Sequence, residues 1–175
     1  MSSKSTPTRY GSVAIIIHWA SAAAVVLAFI AGTVLGNAAE EPAGLVIAHA
    51  VLGVAVFALT LLRIVWWLVA DKHPAPPADQ PAWQRRTANI VHALLYVLLV
   101  LMATSGIATL AASGAFPALL GGAPLPDFDS VPPRIAHGLM SRVLLALFLI
   151  HVGAALYHHF IRRDRLLARM GIGAA

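Results

Sequence analysis

Apolar residues fill four long stretches of the chain, and short segments rich in proline, glycine and charge separate them. The stretches cover roughly residues 13–35, 44–70, 90–112 and 135–161. A helix needs about 20 apolar residues to cross a hydrocarbon core of ~30 Å. Since a helix satisfies its own backbone hydrogen bonds in lipid, the pattern predicts an all-α, four-helix transmembrane bundle that forms one domain, 1–175.

The connecting segments cover residues 36–42, 71–81 and 113–133. The last is rich in proline, and we expect an ordered surface loop there. The first apolar stretch follows Lys4 and Arg9, as a signal peptide would. It is longer than the 7–15 apolar residues typical of such peptides, so we expect a retained span.

Composition supports the membrane interpretation. Only 11% of the 175 residues are charged, 59% are hydrophobic, and the mean hydropathy is +0.81. A soluble domain is usually about one quarter charged. The chain has no cysteine, which excludes disulfides, iron–sulfur clusters and thiolate metal sites.

Basic residues concentrate on one side of the predicted bundle. They precede the first span, lie between the second and third, and follow the fourth: Lys4, Arg9, Lys72, Arg85, Arg86, Arg162, Arg163, Arg165 and Arg169. The opposite loops contain Arg134 against four acidic residues: Glu40, Glu41, Asp127 and Asp129. Because cytoplasmic loops are enriched in Lys and Arg, we expect both termini in the cytoplasm. The net charge of +5 then reflects membrane insertion and not a nucleic-acid surface.

Histidine is the most informative residue type. His73 lies in a loop, and the other seven lie in or at the edges of the spans: His18, His49, His92, His137, His151, His158 and His159. Ionisable groups inside a membrane are functional candidates. In a chain without thiolates, imidazole is the usual axial ligand of haem iron.

Four of these histidines form two pairs by depth. His137 and His151 lie 14 positions apart on the fourth span, on nearly the same helix face and roughly 21 Å apart along the axis. His18 matches the depth of His151 on the inner side, and His49 matches His137 on the outer side. The pattern predicts two haems b, each held by one pair. Hydrogen-bonded polar residues and a bare zinc or copper site are the alternatives.

The chain resembles the bacterial cytochrome b561 family over nearly its whole length. The spacing of the histidines is the specific part of the resemblance. The residues that carry the whole resemblance are Arg9–Tyr10, Ile17 to Trp19, His49 with Gly53, Arg63, His92 before Tyr96, His137, His151, His158–His159 and residues 164–170. The resemblance extends more weakly to the cytochrome b subunits of membrane hydrogenases and formate dehydrogenases. In those subunits the first, second and fourth spans supply the haem ligands in the same pairing.

The resemblance implies an oxidoreductase that links electron transport to quinone. The characterised family member is a superoxide oxidase, which oxidises superoxide on the outer side and reduces ubiquinone. We therefore expect superoxide oxidase activity in the bacterial inner membrane that needs no obligate protein partner. One alternative is a membrane subunit that relays electrons between a partner dehydrogenase and quinone. The other is a histidine-rich transporter or anchor without redox activity.

Four further residues are candidates for contacts beyond the ligands. A quinone needs hydrogen-bond donors and a proton source, and we expect His92 and His158 to supply them. The alternative is that His158 and His159 lie among lipid headgroups. Arg63 and Arg142 are the arginines inside the spans, and we expect them to bind haem propionates. Arg63 can alternatively extend to the cytoplasmic surface, and Arg142 can alternatively bind an internal partner in the protein.

Overall fold

A computed structural model describes residues 2–39, 42–77 and 80–173 of the chain. In these residues, each predicted span is a helix. They are α1 (Ser12–Asn37), α2 (Ala43–Val65, continued by a π-helical turn at Trp66–Ala70), α3 (Ala82–Ala112) and α5 (Pro132–Leu156, continued by a π-helical turn at Tyr157–Arg162). Two short helices complete the fold, α4 (Ala115–Gly121) and α6 (Leu166–Arg169). The all-α, four-span architecture is confirmed.

The structure differs from the sequence prediction at two places. Helix α3 begins at Ala82, well before residue 90, because good helix formers such as Gln84 and Arg85 continue it beyond the apolar stretch. The segment predicted as a surface loop contains α4. Gly114 and Gly122 bound this helix, and both adopt φ 71°, a left-handed conformation that favours glycine.

The spans present most of their surface outward. Only 6–22% of the most apolar part of each span is buried inside the protein, as expected for helices whose surroundings are lipid. Helix α1 packs on α2, α2 on α3, and α3 on α5. A small apolar cluster of Ala24, Val25 and Val56 joins them at mid-depth, next to Phe29 and Phe148, whose ring centroids lie 6.4 Å apart.

Three chain segments meet at one end of the bundle, which we call the terminal end. The Arg169 guanidinium donates to the carbonyl oxygens of Thr8 (2.9 Å) and Ala75 (2.6 Å). The Asp71 carboxylate accepts hydrogen bonds from the backbone and hydroxyl of Ser5. The amino-terminal segment, the α2–α3 connection and the segment after α5 therefore form one hydrogen-bonded cap. We call the opposite end, which carries α4, the α4 end; Glu40 and Glu41 of the predicted outer loop lie outside the described residues.

Candidate functional site

Two pairs of histidine rings face each other across the interior of the bundle. His18 of α1 and His151 of α5 form the terminal-end pair, with ring centroids 6.3 Å apart. His49 of α2 and His137 of α5 form the α4-end pair, with centroids 6.0 Å apart. The structure brings together the same partners that depth along the sequence predicted.

The ring separations fit a haem iron between each pair. An imidazole nitrogen binds a metal at about 2 Å and lies about 1 Å from its ring centre, so two axial imidazoles on one iron place their centroids about 6 Å apart. Both observed separations agree with this value. In the described part of the chain, no group of three or more His, Asp or Glu side chains is arranged to hold a metal ion.

Hydrogen bonds orient both rings of the α4-end pair. His49 Nδ1 lies 3.0 Å from the carbonyl oxygen of Ala28, and since a carbonyl only accepts, the ring donates its Nδ1–H. His137 Nδ1 lies 2.9 Å from the Ser105 hydroxyl, which itself donates to the Met102 carbonyl at 2.9 Å. The Ser105 oxygen can therefore accept from His137, and Nε2 of each ring remains free to bind a metal.

Glycines let two helices approach these rings closely. A Cβ at Gly32 of α1 would lie 3.0 Å from His49 Cε1, and one at Gly106 of α3 would lie 3.4 Å from His137 Cε1. Each glycine therefore helps to set the position of a ring. By contrast, a Cβ at Gly53 or at Gly153 would meet no atom within 4 Å. Open space thus lies one helical turn from His49 and two residues from His151.

Arg63 points into the bundle beside the terminal-end pair. Its Nη1 donates to His18 Nδ1 at 3.0 Å, and its guanidinium lies 5.7 Å from the centre of the Tyr96 ring. Its buried Nε has no hydrogen-bond partner among the described residues. Arg63 therefore has spare donor capacity next to a predicted ligand, and in this conformation its side chain points into the bundle and not towards the surface of the terminal end.

The other candidate residues occupy different surroundings. His92 of α3 lies beside the terminal-end pair, with its ring centroid 5.2 Å from that of His151. His158, in the π-helical turn, hydrogen-bonds through Nδ1 to the Asp164 carboxylate. Arg142 is exposed, and the described residues offer it no hydrogen bond or ion pair. The structure thus groups His92 with the terminal-end pair and leaves Arg142 apart from both pairs.

Two titratable groups of the cap have shifted pKa values. Burial disfavours the charged form of Asp71, but hydrogen bonds from Ser5, Lys72 and Trp66 outweigh it and lower the carboxyl pKa. Burial, reinforced by the positive charge of Arg63, lowers the pKa of His73. The His73 ring stacks on Trp67 at 3.9 Å between centroids. The cap therefore favours an ionised Asp71 and a neutral His73.

Sequence reasoning did not identify Ser105, Gly32, Gly106 or Asp164 as site residues. Ser105 was detectable in principle, because it lies on an apolar span near the depth of His137. The two glycines carried no distinct signal, because glycine is frequent in membrane helices anyway.

Comparison with known proteins identifies the family. The family model for prokaryotic cytochrome b561 matches residues 9–173. The chain is 31% identical to cytochrome b562 of Cereibacter sphaeroides over 170 residues, covering 92% of this chain and 94% of that protein. It is 28% identical over 172 residues to cytochrome b561 homolog 1 of Escherichia coli, covering 93% of this chain and 96% of that protein. It is also 28% identical over 170 residues to a Yersinia pestis protein named "Probable superoxide oxidase CybB", covering 93% and 95%.

Proposed function

Because the chain belongs to the prokaryotic cytochrome b561 family of membrane electron-transfer proteins, we propose that it carries electrons from superoxide at the α4 end to ubiquinone at the terminal end. The observation that supports this most directly is the presence of two histidine pairs, one towards each end of the bundle. The name of the Yersinia pestis relative supports superoxide as the donor.

The family binds b-type haem, and we assign two haems to this chain. His18 and His151 hold one, and His49 and His137 hold the other. Bound haem supplies one-electron transfer between the two ends of the protein. With two histidines on each iron, a bound haem would have no open coordination position, so superoxide would give up its electron without binding the metal.

Arg63 and Arg142 are the proposed propionate contacts. A guanidinium only donates hydrogen bonds, so His18 Nδ1 accepts from Arg63 in the observed arrangement. His18 would bind iron through Nε2 more readily if its Nδ1 carried a proton. A protonated Nδ1 cannot accept from Arg63, so the Arg63 guanidinium would have to turn to another acceptor. A carboxylate of haem is such an acceptor. Arg142 is exposed, so it would reach a propionate only through a different side-chain conformation.

Superoxide is proposed to react at the α4 end. His49 lies six residues after the start of α2 and His137 five after the start of α5, which places the pair about 8 to 9 Å from the helix ends. A small donor at the surface is therefore within electron-transfer range. Arg134 and Arg142 attract the anion, and Asp127 and Asp129 oppose that attraction.

Quinone is proposed to be reduced at the terminal end. Two superoxide ions each lose one electron and become dioxygen, and one ubiquinone gains both electrons and two protons. His92 and His158 are the proposed contacts that donate hydrogen bonds and protons to its oxygens. Since the basic residues concentrate at the terminal end, we propose that this end faces the cytoplasm of a bacterial inner membrane.

A superoxide-pulse experiment on the purified protein tests this function. We expect superoxide to reduce the haems, and the reduced protein to pass electrons to a soluble ubiquinone analogue without any partner protein. If superoxide fails to reduce the haems, or quinone fails to reoxidise them, the function is wrong. The relay subunit of a larger dehydrogenase would then be the better assignment.

A further inference from the structure

His158 and Asp164 form a partly enclosed pair at the terminal end, away from the four proposed haem ligands. Their side chains are only 13% and 21% exposed, and His158 Nδ1 hydrogen-bonds to Asp164 Oδ2. The backbone also holds the two residues together, since the Asp164 N–H donates to the His158 carbonyl at 3.3 Å. The second carboxylate oxygen accepts from the Leu166 N–H at 3.3 Å. Both carboxylate oxygens of Asp164 therefore accept hydrogen bonds, and one of these bonds comes from His158.

The backbone around Asp164 is unusual. Arg163 and Arg165, its two neighbours, adopt φ 56° and φ 58°, a left-handed conformation that is unfavourable for residues with a side chain. These turns follow the π-helical turn that contains His158, and π-helical turns frequently occur at functional sites. The π-helical turn and the two left-handed residues reverse the direction of the chain, so that the Asp164 carboxylate contacts the His158 imidazole.

A cleft beside the pair gives water access to it. The cleft has a volume of about 260 Å³, and its walls come from the α2–α3 connection, the start of α3 and the end of α5. Arg162 closes one side by donating to Gln84 Oε1 at 3.1 Å. A polar cavity of this volume has room for several water molecules.

We propose that His158 and Asp164 are the proton-transfer pair for quinone reduction, with Asp164 as the positioning residue. This proposal rests on the proposed function. Asp164 accepts from Nδ1–H, which fixes the ring and leaves Nε2 free to exchange a proton. As the quinone accepts electrons, the N–H bond at Nε2 breaks and an O–H bond forms on the quinone oxygen. Water in the cleft returns a proton to Nε2, and Asp164 holds the ring through Nδ1–H throughout.

Three charged side chains line the cleft together with His158. Arg162 and Arg163 are positive, and Asp164 is negative. The remaining polar wall residues, Gln80 and Gln84, are neutral. Asp164 is the carboxylate that holds the His158 ring, so its substitution should impair proton transfer without removing His158.

The test compares reoxidation of the reduced protein by a ubiquinone analogue and by ferricyanide, which takes an electron without a proton. We expect Asp164→Asn to slow reoxidation by quinone on the order of 100-fold and to enlarge its solvent deuterium isotope effect. Haem content and reoxidation by ferricyanide should not change. Asp164→Glu should restore part of the rate, and His73→Asn, a loop histidine at the same end, should behave as wild type.

A double variant tests whether Asp164 acts through His158. We expect His158→Gln with Asp164→Asn to be no slower than His158→Gln alone. Wild-type quinone kinetics in Asp164→Asn, or equal slowing with quinone and ferricyanide, would overturn the pair while leaving the proposed function intact. If the wild-type protein itself does not reduce quinone, the proposed function fails and this inference fails with it.

Discussion

Ser105 differs from the other groups around the α4-end pair because it is a side chain that can be removed without altering the backbone. Its hydroxyl is the acceptor for His137 Nδ1. A hydrogen bond at this nitrogen makes the ring more basic towards a metal, which stabilises the oxidised iron. The tuning of this site therefore depends on α3, a helix that supplies none of its proposed ligands.

We expect Ser105→Ala to raise the midpoint potential of the α4-end haem by on the order of tens of millivolts. The other haem should not shift. The measurement is a potentiometric titration followed by visible absorbance. Thr104→Ala is the matched control, because among the described residues the Thr104 hydroxyl bonds to carbonyls of its own helix alone. If both variants shift equally, Ser105 has no specific role.

Gly32 of α1 lies close to the His49 ring and helps to set its position. A methyl group there would lie 3.0 Å from His49 Cε1, so the ring must move. We expect Gly32→Ala to weaken binding of the α4-end haem roughly 10- to 100-fold, seen as haem lost during dilution or competition with an apo-acceptor protein.

Gly36→Ala provides the control for that change. Gly36 lies one turn further along α1, and a Cβ there meets no atom within 4 Å. Both substitutions favour the helix similarly, by about 0.5–1 kcal/mol. A difference between them therefore isolates the contact with His49, and equal haem binding would show that this contact is unimportant.

The helical elements were predictable to the extent that their apolar residues determine them. Counting the π-helical turns at Trp66–Ala70 and Tyr157–Arg162, the ends of α1, α2 and α5 lie within three residues of the predicted spans. Helix α3 was predicted too short, because polar helix formers extend it into water. The histidine pairing was predictable from depth alone, whereas the contacts of Gly32 and Ser105 depend on helix packing that the sequence pattern does not determine.

The cap at the terminal end should be sensitive to acid. The pKa of Asp71 is lowered in the folded protein, so its ionised form stabilises the cap above the ordinary carboxyl value of 3.8. This stabilisation is lost as the pH falls below 3.8 and through the lowered value. We expect hydrogen exchange at the Ser5 amide, which donates to Asp71, to lose protection over that range.

Asp71→Asn should expose the same amide at neutral pH, with exchange roughly ten-fold faster, because a hydrogen bond to a charged group is lost. The Ala38 amide near the α4 end, which donates to Leu35, should be unaffected. Unchanged exchange at Ser5 in the variant would mean that Asp71 does not hold the amino-terminal segment.

At the scale of the whole molecule, the orientation of the chain in the membrane decides which proposed haem would meet which proposed substrate. The structure brings the terminal segments together in one cap, and the basic residues predict that this cap faces the cytoplasm. A reporter protein that functions only in the cytoplasm should be active when fused after Ala175. Activity of a reporter that requires the outer face would reverse the assigned sides of superoxide and quinone.

The central claim is that two histidine pairs hold two haems b in one chain. The most direct test is the haem-to-protein ratio of the purified protein, measured with its reduced-minus-oxidised spectrum. We predict a ratio near two for the wild type and for His73→Ala, and near one for alanine at His18, His151, His49 or His137. The His18 and His151 variants should lose one spectral component, and the His49 and His137 variants should lose the other. A wild-type ratio near one, or an unchanged ratio in any of the four variants, would contradict the claim.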